Sequence, residues 1–69
     1  MIHLLMKSNT QHKWRRLASL PDGPENEHAL SRVKASRAAA EPNNLFRVVP
    51  DGLLTNYRLL PEGSRMEGQ

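Results

Sequence analysis

The sequence predicts a small α+β domain in which one or two helices pack on a C-terminal β-hairpin. The chain has 69 residues, which is the size of one small domain. Residues 26–40 are rich in helix formers, whereas residues 45–60 are rich in strand formers. A tetrapeptide of a hydrophobic residue, Pro, an acid and Gly separates these segments. Its three copies are Leu20-Pro21-Asp22-Gly23, Val49-Pro50-Asp51-Gly52 and Leu60-Pro61-Glu62-Gly63.

Each copy of this tetrapeptide is expected to interrupt regular structure. Pro fixes φ in a tight turn, Asp can hydrogen-bond its own backbone, and Gly adopts the positive φ that other residues avoid. We expect one domain over residues 1–69, with residues 66–69 frayed. Whether residues 1–9 are ordered or flexible is left open.

The first element is expected to be a short helix from about Thr10 to Ser19. Trp14, Leu17 and Ala18 follow helical spacing. A strand remains an alternative, because Trp14, Ala18 and Leu20 also fit period-2 alternation. Residues 2–6 are either a short strand or an extension of this helix.

A second helix is expected from about Asn26 to Ala40. Asn26 is the expected N-cap, Glu27 suits the positive helix N-terminus, and the alanines that follow are strong helix formers. The helix should end near Ala40 because the residue before Pro42 disfavours the helical conformation.

A β-hairpin is expected at the C-terminal end. Residues 45–49 and 53–60 are the two strands, and Pro50-Asp51-Gly52 is the turn that joins them, with Gly52 in the left-handed conformation. Alternation puts Arg47 and Arg58 together on the outward face of this hairpin.

The C-terminal third also resembles a known family. A strand with Tyr57 and Leu59, followed by Pro61-Glu62-Gly63 and preceded by a Gly-turned hairpin, is similar to the wing and exit of winged-helix DNA-binding domains. The match covers about 20 residues, Leu60 stands where the family usually has Thr, and few residues remain for the closing helix. The resemblance implies a reduced version of that fold, with the second helix and the wing facing DNA.

Composition excludes several classes of site. The chain has no Cys, which rules out disulfides and thiolate zinc, and the three His residues are too scattered to indicate a metal site. No catalytic or cofactor-binding motif occurs, so we expect a protein that is not an enzyme and has no cofactor. A domain this small needs a partner or a homodimer to gain stability. Residues 1–5 are too short for a signal peptide or a membrane span, so we expect a cytoplasmic protein without a membrane partner.

The net charge of +3 is unevenly distributed, because two basic blocks flank an acidic loop. Such blocks suit a nucleic acid or an acidic host protein surface. Trp14 lies between basic residues and could stack on a base. Because the chain has so few aromatic residues, a core position is favoured for Trp14, and also for Tyr57. The expected binding residues are Lys13, Arg15, Arg16, Arg32, Lys34, Arg37, Arg47 and Arg58.

Two functions fit these observations. The first is a DNA-binding or transcription-associated regulator that uses the second helix and the hairpin. The second is a protein-binding inhibitor of a host nucleoprotein complex, of the anti-CRISPR or host-polymerase inhibitor type that phages and mobile elements encode. A homo-oligomerising structural module is a third possibility.

Overall fold

The structure, a computed structural model, describes residues 1–60. It is a small α+β domain, which confirms the expected class. The third Pro-acid-Gly copy, the closing helix and the frayed tail fall outside the described residues. The elements in chain order are β1 (Ile2–Ser8), β2 (Arg15–Leu20), α1 (Pro24–Ala40), β3 (Asn44–Pro50) and α2 (Asp51–Leu54).

The three strands form one antiparallel sheet in the order β2-β1-β3. The central strand, β1, is apolar on both faces, since Leu4 and Leu5 are both almost fully buried although their side chains point in opposite directions. A short uninterrupted apolar run is typical of a strand covered on both sides. Of the two alternatives for residues 2–6, the strand is therefore right.

Each face of the sheet has its own small core. On one face, Leu30 of α1 packs against Ile2, Leu4 and Phe46. On the other face, Trp14 packs against Leu5 and Val49. Residues from the C-terminal segment cover this second core, namely Leu54, Tyr57 and Leu59. Trp14 is thus a core residue, as the composition favoured.

The expected helix from Thr10 to Ser19 is wrong. Residues 15–20 form β2, because pairing with β1 outweighs a weak local helical preference. The register shifts between Leu4, which pairs with Ala18, and Leu5, which pairs with Arg16, so that Leu17 is an extra residue. This irregularity places Trp14 in the core on one face and Ala18 in the core on the other.

The second helix is confirmed, although its start differs. Pro24 occupies the first turn and Gly23 is the N-cap, so the expectation of Asn26 as N-cap is wrong. The side-chain amide of Asn26 instead donates a hydrogen bond to the carbonyl of Pro21, at 2.9 Å. The helix ends at Ala40, before Pro42, as expected.

The expected C-terminal hairpin is wrong. Residues 44–50 form β3, but β3 pairs with β1 and not with residues 53–60. Pro50 is the N-cap of α2, and Asp51 and Gly52 form its first turn. Gly52 has no positive φ; within residues 1–60 only Gly23 does, with φ of 158°. Pro followed by Asp suits a helix start as well as a turn, and here the available edge of β1 decides the pairing.

Residues 55–60 run from α2 across the sheet face opposite α1. Leu59 forms a parallel bridge with Trp14. The Trp14 amide donates to the Arg58 carbonyl at 2.6 Å, and the Leu60 amide donates to the Trp14 carbonyl at 2.9 Å. Residues 51–60 are therefore held at both ends. Asp51 follows directly on Pro50 at the end of β3, and Arg58 and Leu60 hydrogen-bond the backbone of Trp14 before β2.

Candidate nucleic-acid interface

One row of the sheet carries two arginines. Leu5 of β1 pairs with Arg16 of β2 on one side and with Arg47 of β3 on the other. Residues directly opposite each other in an antiparallel sheet project from the same face, and the outer strands of a three-stranded sheet are about 10 Å apart. Arg16 and Arg47 are exposed, while Leu5 between them is fully buried. The two arginines therefore flank the central strand on the face opposite α1.

A lysine adds to the same face. Lys7 lies two residues beyond Leu5 and pairs with Leu45, which is 46% exposed. Its ammonium lies 5.7 Å from the centroid of the Trp14 ring and donates a hydrogen bond to the carbonyl of Gln11 at 3.2 Å. A cation over an aromatic face is attracted by the ring and is held in position. We call Lys7, Arg16 and Arg47 the basic face.

Lys7 was not among the residues expected from the sequence. In a strand, Lys7 projects from the same face as Leu5, two residues earlier. This relation identifies Lys7 only once residues 2–8 are known to form a strand.

Two further expected residues lie near the basic face, and one lies on the other side of the sheet. Lys13 and Arg58 are exposed. Lys13 directly precedes Trp14 in the chain, and the Arg58 carbonyl accepts a hydrogen bond from the Trp14 amide. Arg15 pairs with Met6, which packs in the core under α1, so Arg15 projects toward the helix side. The expectation that Arg47 and Arg58 share one hairpin face is wrong, because residues 53–60 form no strand paired with β3, and the Arg58 backbone bonds Trp14 on the β2 side.

The three expected residues of the second helix lie across the sheet from the basic face. Arg37 forms an ion pair with Glu41 at 3.2 Å, and its guanidinium lies 5.9 Å from the centroid of the Phe46 ring. Lys34 is half-buried, and Arg32 is exposed. The eight expected residues therefore do not converge on one surface, since α1 and the sheet separate them.

Acidic groups gather at the opposite end of the strands. Leu20 and Pro50 both pair with Ile2. Asp22 lies two residues after Leu20, and Asp51 directly follows Pro50. The Met1 ammonium forms ion pairs with both carboxylates, each at 3.2 Å. The sheet thus has acidic groups at the Ile2 end and the basic face toward the Ser8 end. Among residues 1–60, Glu41 is an acid near the Ser8 end, where it is paired with Arg37.

A buried histidine lies at the acidic end. His3 is 3% exposed, and its Nδ1 is 2.7 Å from the hydroxyl oxygen of Ser19. Its Nε2 hydrogen-bonds the carboxylate of Asp51. This bond, followed by that of the Met1 ammonium, lowers the pKa of Asp51 from its usual value. Asp51, and after it Asp22, raises the pKa of the Met1 ammonium.

Ser, His and Asp are the residue types of a nucleophile, a base and an orienting acid. Here the imidazole is closed to solvent and both of its nitrogens are engaged. The arrangement therefore ties β1 to β2 and to the start of α2. The sequence alone does not reveal this trio, because residues 3, 19 and 51 meet only through strand pairing.

Within residues 1–60, no group of three His, Cys, Asp or Glu side chains is arranged to hold a metal ion. None of the described helices has both the length and the apolar character needed to cross a membrane. Comparisons of the chain with protein-family models, with curated proteins and with solved structures found no match.

Proposed function

We propose that this domain is a small, non-enzymatic, cytoplasmic DNA-binding or transcription-associated regulator, and that the basic face contacts the DNA. The observation that carries the proposal is the register of the sheet, which puts Arg16 and Arg47 on either side of Leu5. Lys7 extends the same face. Arginine and lysine side chains are the usual partners of phosphate oxygens.

The distribution of charge supports this assignment. The basic face lies away from the Asp22 and Asp51 carboxylates, which both form ion pairs with the Met1 ammonium at the other end of the strands. A surface of one sign raises the local concentration of a ligand of the opposite sign and orients its approach. On α1, Arg37 is paired with Glu41, Lys34 is half-buried like Lys7, and the exposed Arg32 has, within residues 1–60, no second arginine paired beside it across a strand.

The test is a pair of matched charge reversals, Arg47→Glu on the basic face and Arg32→Glu on α1. Both residues are exposed and both changes alter the net charge equally. Binding of a fluorescent duplex at low salt should weaken by about tenfold or more for Arg47→Glu and by less than about threefold for Arg32→Glu, because only a contacting cation releases counterions. Equal losses for the two variants, or no binding by the wild type, would contradict the proposal.

A second candidate is the inhibitor of a host nucleoprotein complex. The observation in its favour is an exposed apolar patch on α1, where Val33 is 44% exposed beside Ala29 and Ser36. Exposed apolar patches rimmed by charge are typical of protein contacts. A protein partner captured after nuclease treatment and lost in Val33→Asp, but retained in Arg47→Glu, would favour this function over DNA binding.

A further inference from the structure

We infer that the basic face binds the phosphate backbone of duplex nucleic acid without regard to base sequence. The inference rests on the proposed function and specifies its ligand. It follows from the positions of the aromatic rings, from what covers the sheet and from the charge density of the polymer.

The aromatic side chains are not available to stack on bases. Trp14 is 9% exposed and Phe46 is 7% exposed. Tyr57 is half-buried and meets Trp14 edge to face, with ring centroids 5.3 Å apart. The chain has one Trp, one Tyr and one Phe, so it has no further side chain of these three types. Proteins that bind single strands depend on base–aromatic stacking for much of their affinity, and this surface does not offer it.

The sheet is also unable to enter a groove and read base edges. Reading the major groove requires a helix or a two-stranded ribbon, because the groove is about 12 Å wide. Here Leu54, Tyr57 and Leu59 cover the middle of the face, over Leu5 and Val49. Arg16 and Arg47 are therefore placed at the margins of a covered sheet, where they can reach an outer phosphate backbone but not the floor of a groove.

A surface that binds through cations and not through base stacking should prefer the polymer with the higher charge density. Duplex DNA carries one charge per about 1.7 Å of axis, and a single strand carries one per about 3.4 Å. If the three cations of the basic face each neutralise one phosphate, log K should fall against log salt with a slope of about −2.7 for duplex. Duplex affinity should then fall about 40-fold between 50 and 200 mM salt.

The experiment measures fluorescence anisotropy with 20-base-pair duplexes of only A·T pairs, only G·C pairs and mixed sequence, together with their single strands at equal phosphate concentration. The dissociation constants of the three duplexes should agree within about threefold, and the single strands should bind more weakly. Arg47→Gln should reduce the salt slope by about 0.9, whereas the matched Arg32→Gln should leave it unchanged. Thermal unfolding of both variants controls for loss of fold.

The outcomes separate this inference from the function on which it rests. A preference of more than about tenfold for one duplex sequence, which corresponds to base readout, or tighter binding of single strands would overturn backbone recognition while leaving DNA binding intact. Failure of every nucleic acid to bind at 50 mM salt would instead overturn the proposed function. Polyglutamate that competes better than duplex DNA would identify an acidic protein surface as the ligand and would overturn both.

Discussion

His3, in the first strand, hydrogen-bonds through Nε2 to the carboxylate of Asp51, the first residue of the last described helix. Its Nδ1 hydrogen-bonds Ser19 of β2 at 2.7 Å. Because a carboxylate can only accept, Nε2 carries the donated proton. One nearly buried ring therefore joins three elements of the fold.

Replacing His3 with Ala should destabilise the domain by about 1–3 kcal/mol, because the substitution removes a nearly buried ring together with its hydrogen bonds to Ser19 and Asp51. For a domain of this size the melting temperature should fall by roughly 4–8 °C per kcal/mol. The matched control is His12→Ala, which makes the same change at an exposed loop position and should stay within about 0.5 kcal/mol. Urea and thermal unfolding followed by circular dichroism measure both. Equal stability of the two variants would show that the His3 contacts contribute nothing.

Asp51 should make the stability of the fold depend on acid pH. The hydrogen bond from His3, and then that from the Met1 ammonium, lowers the pKa of Asp51 in the folded state. The unfolded chain then binds more protons, so the stabilisation is present above about pH 4 and is lost as the pH falls through the lower folded pKa.

Asp51→Asn is the test, since it keeps an oxygen that can accept from His3 but cannot ionise. The difference in melting temperature between the wild type and this variant should be largest near pH 5 and should shrink toward pH 2. Taking the difference removes the contributions of the other carboxylates. A difference that stays constant over this range would mean that ionised Asp51 is not what stabilises the contact.

Leu5 should be the most sensitive apolar position of the second core. It is fully buried between the sheet and the C-terminal segment, so Leu5→Ala should cost about 2–5 kcal/mol. A chain of 69 residues has a total stability of roughly 3–10 kcal/mol, so the substitution should remove a large part of that stability. Leu45→Ala is the matched control, because Leu45 is 46% exposed on the same face. Urea unfolding at 25 °C, followed by circular dichroism, should give a lower midpoint for Leu5→Ala than for Leu45→Ala. Similar spectra with similar urea midpoints would contradict the assigned burial.

The sequence was sufficient for the elements whose signal is local. Composition, Pro positions and alternation predicted a helix from about residue 26 to 40 and a strand over residues 45–49, and the structure has them at residues 24–40 and 44–50. For β2 the helix was preferred and the strand was kept only as an alternative, because the strand pattern is broken at Leu17, where the register of pairing with β1 shifts. The even-numbered residues change faces at that point, so Trp14 and Ala18 enter different cores. Neither helical nor strand spacing describes such a segment from end to end.

The second Pro-Asp-Gly copy was misread for a different reason. Its residues suit a turn and a helix start equally, and the choice depends on which edge β3 can pair with. Strand β1 offers that edge, and the Asp51 amide donates to the Met1 carbonyl at 2.9 Å. The basic face depends on the same long-range pairing, which explains why Arg47 was expected beside Arg58 and is found across Leu5 from Arg16.

Trp14 provides a direct test of how residues 55–60 lie on the sheet. Tyr57 meets the Trp14 ring edge to face, at an interplanar angle of 88°. Tyr57→Ala should uncover the indole, shift its fluorescence to longer wavelength and increase quenching by acrylamide. The lost ring contact should also cost about 0.5–1.5 kcal/mol beyond the lost burial.

Tyr57→Phe is the control, because it keeps the ring edge and should preserve the emission of Trp14. Because Trp14 is the single tryptophan, the spectrum has one source. An emission maximum that is the same in Tyr57→Ala as in the wild type would show that this segment does not cover Trp14 in solution.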